Sequence, residues 1–282
     1  MRSTLPQQYK NIAAVMKERP VLCASIVATS EHDYFNRLLE ATEKDIDLAE
    51  LRLDFINDIN ENLANDLISK SKIPLIVTNR NKENGGTFQG DEKTRLSIIN
   101  SSIKAKPTFI DIELSTNEKD RGRIIDFAKE NNVGVICSYH DFNKTPSETD
   151  IHKIYQEMYK TRSDLIKMVF TPHSSKDVRA ILQANYDLRY EKTPYTLFGM
   201  GKHGQNTRLL SLLLGSCLTY CSVESNTQNS LFQISVEEMK RYFSHIEKQG
   251  WQEMRKRGNE LLELSMIELN DDESHPFKSI VS

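Results

Sequence analysis

The stretch Leu165-Ile166-Lys167-Met168-Val169-Phe170 is a short, almost entirely apolar run, and helical patterning over residues 176–185 follows it after a polar turn. A strand, a turn and an amphipathic helix in this order form the repeating unit of parallel α/β folds. The unit recurs along the chain at a spacing that suits one strand and one helix. Seven more apolar runs occupy residues 21–28, 47–53, 74–78, 108–114, 133–138, 195–198 and 218–223.

Helical patterning fills the gaps between these runs. It covers residues 34–42, 61–69, 92–103, 118–130, 148–160, 208–215 and 236–248. Ser147 and Ser174 are suited to the starts of two of the helices. Eight strands that alternate with about eight helices predict an α/β protein whose single domain is a closed (β/α)8 TIM barrel. An open doubly wound parallel sheet is the alternative.

The barrel is predicted to span residues 21–249. Residues 1–20 then form an N-terminal leader, and residues 250–282 form a C-terminal tail with a helical pattern. We expect the tail to pack as an extra helix on the barrel rim. An oligomer contact and a regulatory arm are the alternatives for it.

The composition argues against several functional classes. The 282 residues include 37 Lys and Arg against 40 Asp and Glu, and no basic block of the kind that binds nucleic acid. The N-terminal residues lack an apolar signal-peptide core, and the most apolar stretch, residues 209–218, is too short to cross a membrane. Cys23, Cys137, Cys217 and Cys221 show no CxxC spacing, which is typical of reduced thiols in a protein core. We expect a cytoplasmic protein without nucleic-acid or membrane partners.

Charged residues inside the predicted strands single out candidate site positions. In the second run, Leu48-Ala49-Glu50-Leu51-Arg52-Leu53-Asp54, strand alternation places Glu50, Arg52 and Asp54 on one face. Helices cover the outside of a parallel barrel, so the charged face points inwards. Buried charges cost free energy unless they pair or meet a ligand. This face indicates a polar substrate at the carboxyl ends of the strands, with an internal ion-pair ladder as the alternative.

Three other strands carry polar residues near their carboxyl ends, where barrel enzymes place their active sites. Arg80 follows the third run, Asp111 and Glu113 share a face of the fourth, and His140 follows the fifth. Histidine transfers protons near neutral pH, so His140 is a candidate general acid and base. A solvated arginine and a structural rim histidine are the alternatives for Arg80 and His140.

Lys167 lies in the middle of the sixth run, where apolar neighbours keep it from reaching water easily. Burial disfavours the ammonium form, and the neutral amine is the form that attacks a carbonyl to make an imine. Together with His140 in the preceding strand unit, Lys167 predicts a carbonyl substrate held as an imine while the histidine moves an α-proton. An ion pair between Lys167 and an inward carboxylate is the alternative.

A glycine pattern near the seventh run points to different chemistry. Gly199-Met200-Gly201-Lys202-His203-Gly204 matches the GxGxxG motif of dinucleotide binding, and Glu224 follows at about the usual distance. The motif lies too close to the C-terminus for the strands that should follow it. We therefore favour a tight turn that brings Arg208 to the barrel mouth.

Metal ligation is weakly supported by the sequence. The histidines are scattered, without an HExxH motif or a Cys/His cluster. Glu50, Asp54 and Glu113 could share a divalent cation, but Arg52 and Lys167 would oppose it. We expect no metal site.

Taken together, these residues resemble the type I 3-dehydroquinate dehydratase family of the shikimate pathway, over most of the chain. The order and spacing of several pieces carry the resemblance. They are Glu50-Leu51-Arg52-Leu53-Asp54, Thr78-Asn79-Arg80 with Gly85-Gly86, Ser138-Tyr139-His140-Asp141-Phe142 with Lys144-Thr145-Pro146, Lys167, Met200-Gly201 with Gly204 and Arg208, and Gln233-Ile234-Ser235.

The resemblance implies a barrel, commonly a homodimer, that removes water from 3-dehydroquinate to give 3-dehydroshikimate without a metal or organic cofactor. It implies that Lys167 forms an imine with the substrate ketone, that His140 moves the protons and that Arg208 holds the substrate carboxylate. The implied substrate-binding residues are Ser25, Glu50, Arg52, Arg80, Arg208, Asn229 and Gln233.

Two positions depart from the pattern of the family. The family usually has a glutamate before the paired glycines, where it orients the catalytic histidine; here Asn84 stands there and Glu83 precedes it. Asparagine can hydrogen-bond an imidazole but cannot stabilise an imidazolium by charge. The lid before Gln233 reads Leu231-Phe232 instead of Pro-Gly. These changes bear on lid closure and turnover.

Two alternatives to a dehydratase stay open on the sequence. One is another imine-forming barrel enzyme such as a class I aldolase, although such enzymes often bind phosphate through backbone amides rather than through residues such as Arg208 and Gln233. The other is a catalytically weakened barrel that acts as a binding protein, a hypothesis motivated by Asn84 and the altered lid.

Overall fold

The computed structural model describes residues 7–223 and 233–271, with side chains described for residues 12–223 and 233–263. The strands are β1 (Val21–Ile26), β2 (Leu48–Arg52), β3 (Leu75–Thr78), β4 (Phe109–Glu113), β5 (Gly134–His140), β6 (Leu165–Phe170), β7 (Tyr195–Gly199) and β8 (Leu218–Ser222). The helices are α1 (Gln7–Glu18), α2 (Glu31–Glu43), α3 (Glu61–Ser69), α4 (Glu92–Lys104), α5 (Glu118–Glu130), α6 (Glu148–Lys160), α7 (Ser175–Leu188), α8 (Gly201–Gly204), α9 (Thr207–Leu214), α10 (Val236–Gln249) and α11 (Trp251–Asp271). Each apolar run of the sequence coincides with one strand to within two residues at either end.

Capping side chains explain where several helices begin. Ser147 and Ser174 cap α6 and α7, as the sequence predicts, by accepting hydrogen bonds from the backbone N–H groups of Asp150 and Asp177. These bonds satisfy N–H groups that the first helical turn leaves unpaired. In α7 the Asp177 carboxylate also accepts from the backbone N–H of Ser174, which completes a capping box.

The strands form one parallel sheet in the order β7-β6-β5-β4-β3-β2-β1-β8. The two end strands meet through individual hydrogen bonds. The Cys217 N–H donates to the Tyr195 carbonyl at 2.9 Å, and the Thr196 hydroxyl donates to the Leu218 carbonyl at 2.7 Å. These contacts bring the sheet round into a nearly closed (β/α)8 TIM barrel. The predicted fold class is confirmed, and the alternative of an open doubly wound sheet is wrong.

Side chains alternate between the outside and the inside of the barrel. Outward residues such as Ala49, Leu51 and Ile112 are buried under the helices. Inward residues form an apolar floor at the amino ends of the strands and a polar layer towards their carboxyl ends. The floor contains Val21, Leu48, Ile76, Phe109, Ile136, Leu165 and Leu218. The buried polar layer contains Glu50, Thr78, Asp111, Ser138 and Lys167.

Two helices lie outside the strand–helix repeat. Ile12 of α1 joins the apolar floor, so α1 packs against the amino ends of the strands. α11 packs along α9, where Arg255 donates to the carbonyls of Leu212 and Ser216 at 3.1 and 3.3 Å. The division of the chain into leader, barrel and tail stays a prediction. Within the described ranges, no helix is both long enough and apolar enough to span a membrane.

A buried amide secures the join between β7 and β8. The Asn185 side chain of α7 donates to the Leu197 carbonyl at 3.0 Å and to the Ser211 hydroxyl at 3.1 Å. Its carbonyl oxygen accepts from the Ser216 hydroxyl at 2.8 Å. Asn185 thus ties α7, β7, α9 and the segment before β8 together, at the point where the backbone ladder is interrupted.

We expect Asn185→Ala to lower the free energy of unfolding by about 2–4 kcal/mol, because it leaves several buried polar groups without a partner. Chemical denaturation followed by circular dichroism measures the loss. Gln183→Ala on the same helix removes one surface hydrogen bond to Asp187 and serves as the control, with an expected loss below about 0.5 kcal/mol. Equal losses for the two variants would show that Asn185 does not secure this join.

Candidate active site

A cavity of about 430 Å³ opens at the carboxyl ends of the strands. Eight of the nine site residues that the sequence predicts line it. They are Ser25, Glu50, Arg52, Arg80, His140, Lys167, Arg208 and Gln233. The ninth, Asn229, lies outside the described residues, as do Leu231 and Phe232 of the expected lid. The barrel therefore brings side chains from distant parts of the chain into one polar cavity.

Lys167 lies in the middle of β6 and is 5% exposed. Its Nζ is 3.2 Å from Glu50 Oε1 and 3.7 Å from Asp111 Oδ2. The same nitrogen lies 3.9 Å from the centre of the Tyr220 ring. Two carboxylates and an aromatic face thus compensate a positive charge on Nζ. Lys167 is thus buried, as the sequence predicts, and it also forms the ion pair with an inward carboxylate that the sequence left as the alternative.

Glu50 of β2 accepts hydrogen bonds on both carboxylate oxygens. Lys167 and the Thr78 hydroxyl donate to Oε1, and the Ser25 hydroxyl donates to Oε2 at 2.9 Å. Burial opposes the ionisation of Glu50, but the positive charges of Lys167 and Arg52 outweigh it and lower the pKa of Glu50 to about 2. Glu50 therefore stays a carboxylate near neutral pH and holds Lys167 rather than donating a proton.

Arg80 is a buried, fully paired cation, so the alternative of a solvated arginine is wrong. Its Nη2 donates to Asp111 Oδ2 at 3.0 Å, and its Nη1 donates to the Ser138 hydroxyl at 2.6 Å. Its Nη1 also lies 3.1 Å from Glu113 Oε1, while Glu113 Oε2 accepts from Arg95 at 2.8 Å. The sequence analysis missed Arg95, because a charged residue on a helix is usually solvated and its spacing gave no sign of burial.

The inward carboxylates do not assemble into the divalent-cation site that the sequence left open. Glu50 pairs with Lys167, and Asp54 pairs with Arg52. Glu113 pairs with both Arg95 and Arg80. In the part of the chain that the structure describes, one group has metal-ligand spacing. It consists of Glu148, His152 and Asp187 on the outer helices α6 and α7.

His140 belongs to β5, which continues two residues beyond the predicted run, and its half-buried ring faces the cavity. The ring stacks on Phe142 with 5.8 Å between centres and 9° between planes. Burial, together with the positive charges of Arg80, Lys167 and Arg52, holds the pKa of His140 well below 6.5. The imidazole is therefore neutral at pH 7, the form in which it can accept a proton.

Asn84 lines the cavity but its side chain turns away from His140. Its Nδ2 donates to Asn81 Oδ1 at 2.7 Å and to the Ser115 hydroxyl at 3.0 Å. Glu83 is exposed and lines a neighbouring depression. Within the described ranges, His140 Nδ1 has no hydrogen-bond partner. Neither Asn84 nor Glu83 thus orients His140 in this structure.

Arg208, near the start of α9, is 6% exposed and differs from the other cavity cations in its lack of an ionic partner. Its Nη1 donates to the Tyr220 carbonyl at 3.3 Å, and its guanidinium lies 4.4 Å from the centre of the Phe198 ring. No described carboxylate pairs with it, and burial lowers its pKa to about 10. A buried cation without a counter-ion favours the binding of an anionic ligand.

The glycine pattern after β7 forms the tight turn that leads to Arg208. A Cβ on Gly204 would lie 2.3 Å from the carbonyl carbon of Gly199, so the two backbones can approach only because both residues are glycines. Gly201 has a φ of +71°, which glycine adopts without strain. The barrel lacks the open sheet that the dinucleotide alternative requires, and Glu224 lies outside the described residues.

Tyr220 and Phe142 also line the cavity, although the sequence analysis gave neither a role. Tyr220 faces inwards from β8, and burial holds the pKa of its hydroxyl well above 10, so it is neutral. Aromatic residues are common in apolar runs and helix-facing positions. The inward side of β8, on which Tyr220 lies, becomes clear only in the barrel. Phe142 follows β5, and its packing on His140 depends on the path of that loop.

The sequence profile of type I 3-dehydroquinase matches residues 22–249 of this chain. The chain is 35% identical to a 3-dehydroquinate dehydratase of Methanosarcina acetivorans over 224 residues, which cover 77% of this chain and 93% of the relative. It is 36% identical to the enzyme of the same name from Methanosarcina mazei over 208 residues, which cover 72% of this chain and 86% of the relative.

Solved structures show the same likeness. A type I 3-dehydroquinate dehydratase from Clostridium difficile, solved with covalently modified comenic acid, superposes with a TM-score of 0.77 at 26% identity over 82% of this chain and 94% of its own. A 3-dehydroquinate dehydratase from Geobacillus kaustophilus gives a TM-score of 0.76 at 25% identity over 82% and 92%. The (β/α)8 barrel agrees with these matches, and the chain belongs to the type I 3-dehydroquinase family.

Proposed function

We propose that this 3-dehydroquinate dehydratase, a lyase of the shikimate pathway, removes water from 3-dehydroquinate through an imine on Lys167. In this proposal His140 is the general acid and base, and the product is 3-dehydroshikimate. The observation that supports it most directly is the joint presence of an inward lysine, a neutral histidine and an unpaired guanidinium in one cavity. The relatives and solved structures bear names that specify the same substrate.

The charges of the cavity suit a substrate with one carboxylate and several hydroxyls. Lys167, Arg52 and Arg80 each pair with carboxylates of the protein, whereas Arg208 has no carboxylate partner among the residues that the structure describes. The guanidinium fork of Arg208 can bind the substrate carboxylate with two parallel hydrogen bonds. Such binding compensates the buried charge and places the substrate ring between Arg208 and Lys167.

The proposed reaction begins when the Lys167 ammonium gives one proton to neutral His140 and the free amine attacks the substrate ketone. His140 then returns this proton to the ketone oxygen. A carbon–nitrogen double bond forms and the ketone oxygen leaves as water. The protonated imine withdraws electrons from the neighbouring carbon, so the C–H bond there becomes more acidic. His140 takes this proton and returns one to the leaving hydroxyl, which departs as water. Hydrolysis of the imine then releases the product and restores Lys167 and His140.

The remaining predicted residues have binding roles in this proposal. Glu50, Arg52 and Arg80 bind hydroxyls and orient the substrate, with Ser25 as a weaker candidate at the mouth. Asn229 and Gln233 contact the substrate from the segment after β8, where Gln233 lines the cavity. The reaction proposed here draws on side chains of the protein without a metal or an organic cofactor. We also propose that the protein is cytoplasmic and forms a homodimer.

A binding protein without turnover is the second candidate function. It is favoured by one observation, the absence of a hydrogen-bond partner for His140 Nδ1 among the described residues. The same experiment that tests for the imine separates the two functions, because a binding protein forms no dehydrated adduct.

We expect borohydride added to the protein with 3-dehydroquinate to leave a reduced adduct on Lys167 with the mass of the dehydrated product. Peptide mass spectrometry locates the adduct. Lys167→Ala should lose both the adduct and turnover, and it should unfold at lower denaturant concentration because Glu50 loses its nearest cation and Asp111 keeps only one described cation, Arg80. Lys202→Ala changes an exposed lysine that is not among the lining residues, next in sequence to Gly201 of the cavity wall, and should keep both.

An adduct with the mass of undehydrated substrate would show that Lys167 forms the imine while His140 fails to complete elimination. No adduct from the folded wild-type protein, or full turnover by Lys167→Ala, would contradict the imine mechanism.

The low pKa of His140 predicts that activity persists into weakly acidic solution. A base must be unprotonated to act, so kcat/KM should stay level from pH 8 to about 6.5 and fall only when pH approaches the lowered pKa. Asn84→Glu adds a carboxylate to the wall of the cavity that His140 also lines. If this carboxylate turns towards the ring, it favours the imidazolium and should move the acidic limb upwards by about one pH unit while raising turnover at neutral pH. Glu83→Gln is the control at the neighbouring exposed position. An acidic limb that stays in place in Asn84→Glu would show that residue 84 does not act on His140.

Arg208→Met should raise KM for 3-dehydroquinate about 100-fold, since the substrate carboxylate loses its buried cation, a loss of about 2.7 kcal/mol. Arg208→Lys keeps the positive charge but cannot donate two parallel hydrogen bonds to a carboxylate. Its KM should therefore lie between that of the wild type and that of Arg208→Met. Steady-state kinetics with each variant measures both effects. A KM close to that of the wild type in Arg208→Met would place the carboxylate elsewhere.

A further inference from the structure

Asp54 is a buried carboxylate that the proposed reaction does not use. It lies in the single helical turn after β2, and its side chain is fully shielded from solvent. Arg52, whose guanidinium lines the cavity, donates to it through Nε at 2.9 Å and through Nη2 at 2.8 Å. The other face of that guanidinium lies 4.8 Å from the centre of the Phe55 ring. Arg52 is therefore held in one orientation by a two-pronged ion pair and an aromatic ring.

Asp54 also anchors the segment between β3 and α4. The Thr87 backbone N–H donates to Asp54 Oδ2 at 3.1 Å, and the Thr87 hydroxyl donates to the Asp54 carbonyl at 2.6 Å. Gly85, two residues earlier, lines the cavity, and a Cβ there would lie 2.3 Å from the ring of Phe142. Phe142 in turn stacks on His140. One carboxylate thus connects a cavity cation with the loop that packs against the ring next to the histidine.

We infer that Asp54 is a positioning residue that fixes Arg52 and the loop of residues 81–89 for substrate binding. The inference rests on the proposed substrate-binding role of Arg52. The two oxygens of Asp54 accept three N–H groups, so the contact depends on an acceptor at both positions. An asparagine offers one acceptor oxygen, and its NH2 group faces another N–H donor. Asp54→Asn therefore releases Arg52 or Thr87 while it preserves the shape of the side chain.

Asp47 provides a control that distinguishes an effect of Asp54 on substrate binding from its effect on stability. Asp47, at the other end of the same strand, accepts from Arg19 Nη1 at 2.8 Å and from Nη2 at 2.7 Å. It also accepts from the backbone N–H of Leu22 at 2.9 Å. Asp47 and Asp54 thus make the same set of contacts, a two-pronged arginine and one backbone N–H. Asp47 is absent from the cavity lining, whereas the partner of Asp54 is part of it.

The experiment compares steady-state kinetics and thermal unfolding of Asp54→Asn and Asp47→Asn in the full-length protein. Both substitutions should lower Tm, because each removes a carboxylate from a similar set of hydrogen bonds. Asp54→Asn should raise KM for 3-dehydroquinate about tenfold with kcat within about threefold of the wild type. Asp47→Asn should leave KM within about twofold. A wild-type KM in Asp54→Asn, or equal rises in both variants, overturns the inference.

A double-mutant cycle with Arg52 tests whether Asp54 acts through that residue. Arg52→Met should raise KM, and the double variant Arg52→Met, Asp54→Asn should exceed the KM of Arg52→Met by at most about threefold, the part that acts through the loop, and not by the tenfold that Asp54→Asn causes alone. Independent effects that multiply would overturn the inference. If Arg52→Met keeps the wild-type KM while borohydride still traps the adduct, the substrate-binding role of Arg52 in the proposed function fails instead.

A milder variant keeps the test decisive if Asp54→Asn folds poorly. Thr87→Val removes the hydroxyl bond to the Asp54 carbonyl and keeps the backbone N–H bond to the carboxylate. It should raise KM about threefold at a Tm close to that of the wild type. An unchanged KM in Thr87→Val overturns the role of Asp54 in holding the loop.

Discussion

The ion pair between Lys167 and Glu50 sets the conditions for the rest of the cavity. A lysine in the middle of a barrel strand is shielded from water, so its charge needs a carboxylate within the barrel. Glu50 supplies it, and Asp111 adds a second negative charge that it shares with Arg80. Lys167, Arg52 and Arg80 are each balanced by a neighbouring carboxylate, whereas Arg208 has none among the described residues, and the proposed function assigns its charge to the substrate carboxylate.

The apolar floor makes this polar layer possible. Residues such as Leu48 and Phe109 fill the amino ends of the strands, and Ile12 of α1 covers them. Close packing there keeps the strands in register, so the polar side chains above them hold fixed positions. The same strand can thus contribute an apolar residue to the floor and a charged residue to the cavity, as β2 does with Leu48 and Glu50.

The cations of the cavity also lower the pKa of His140. Arg80, Lys167 and Arg52 disfavour a proton on the imidazole, and the ring has no described carboxylate to offset them. An anionic substrate adds negative charge to this surrounding, which makes protonation of His140 easier once the substrate is bound. In the proposed reaction the histidine therefore meets the substrate as a base, and the bound anion then favours its protonated form.

The sequence by itself determined the number of strands and the inward face of β2, because strand alternation and burial follow from local pattern. The sequence also predicted Lys167, His140 and Arg208 as site residues, and the barrel brings the three into one cavity. The same local pattern predicted every strand to within two residues. Only the tertiary structure decided the partners of the charges: the pairing of Lys167 with Glu50, the burial of Arg95 and the bond between Asp54 and Thr87. These contacts join residues far apart in the chain, and the curvature and register of the closed barrel set their distances.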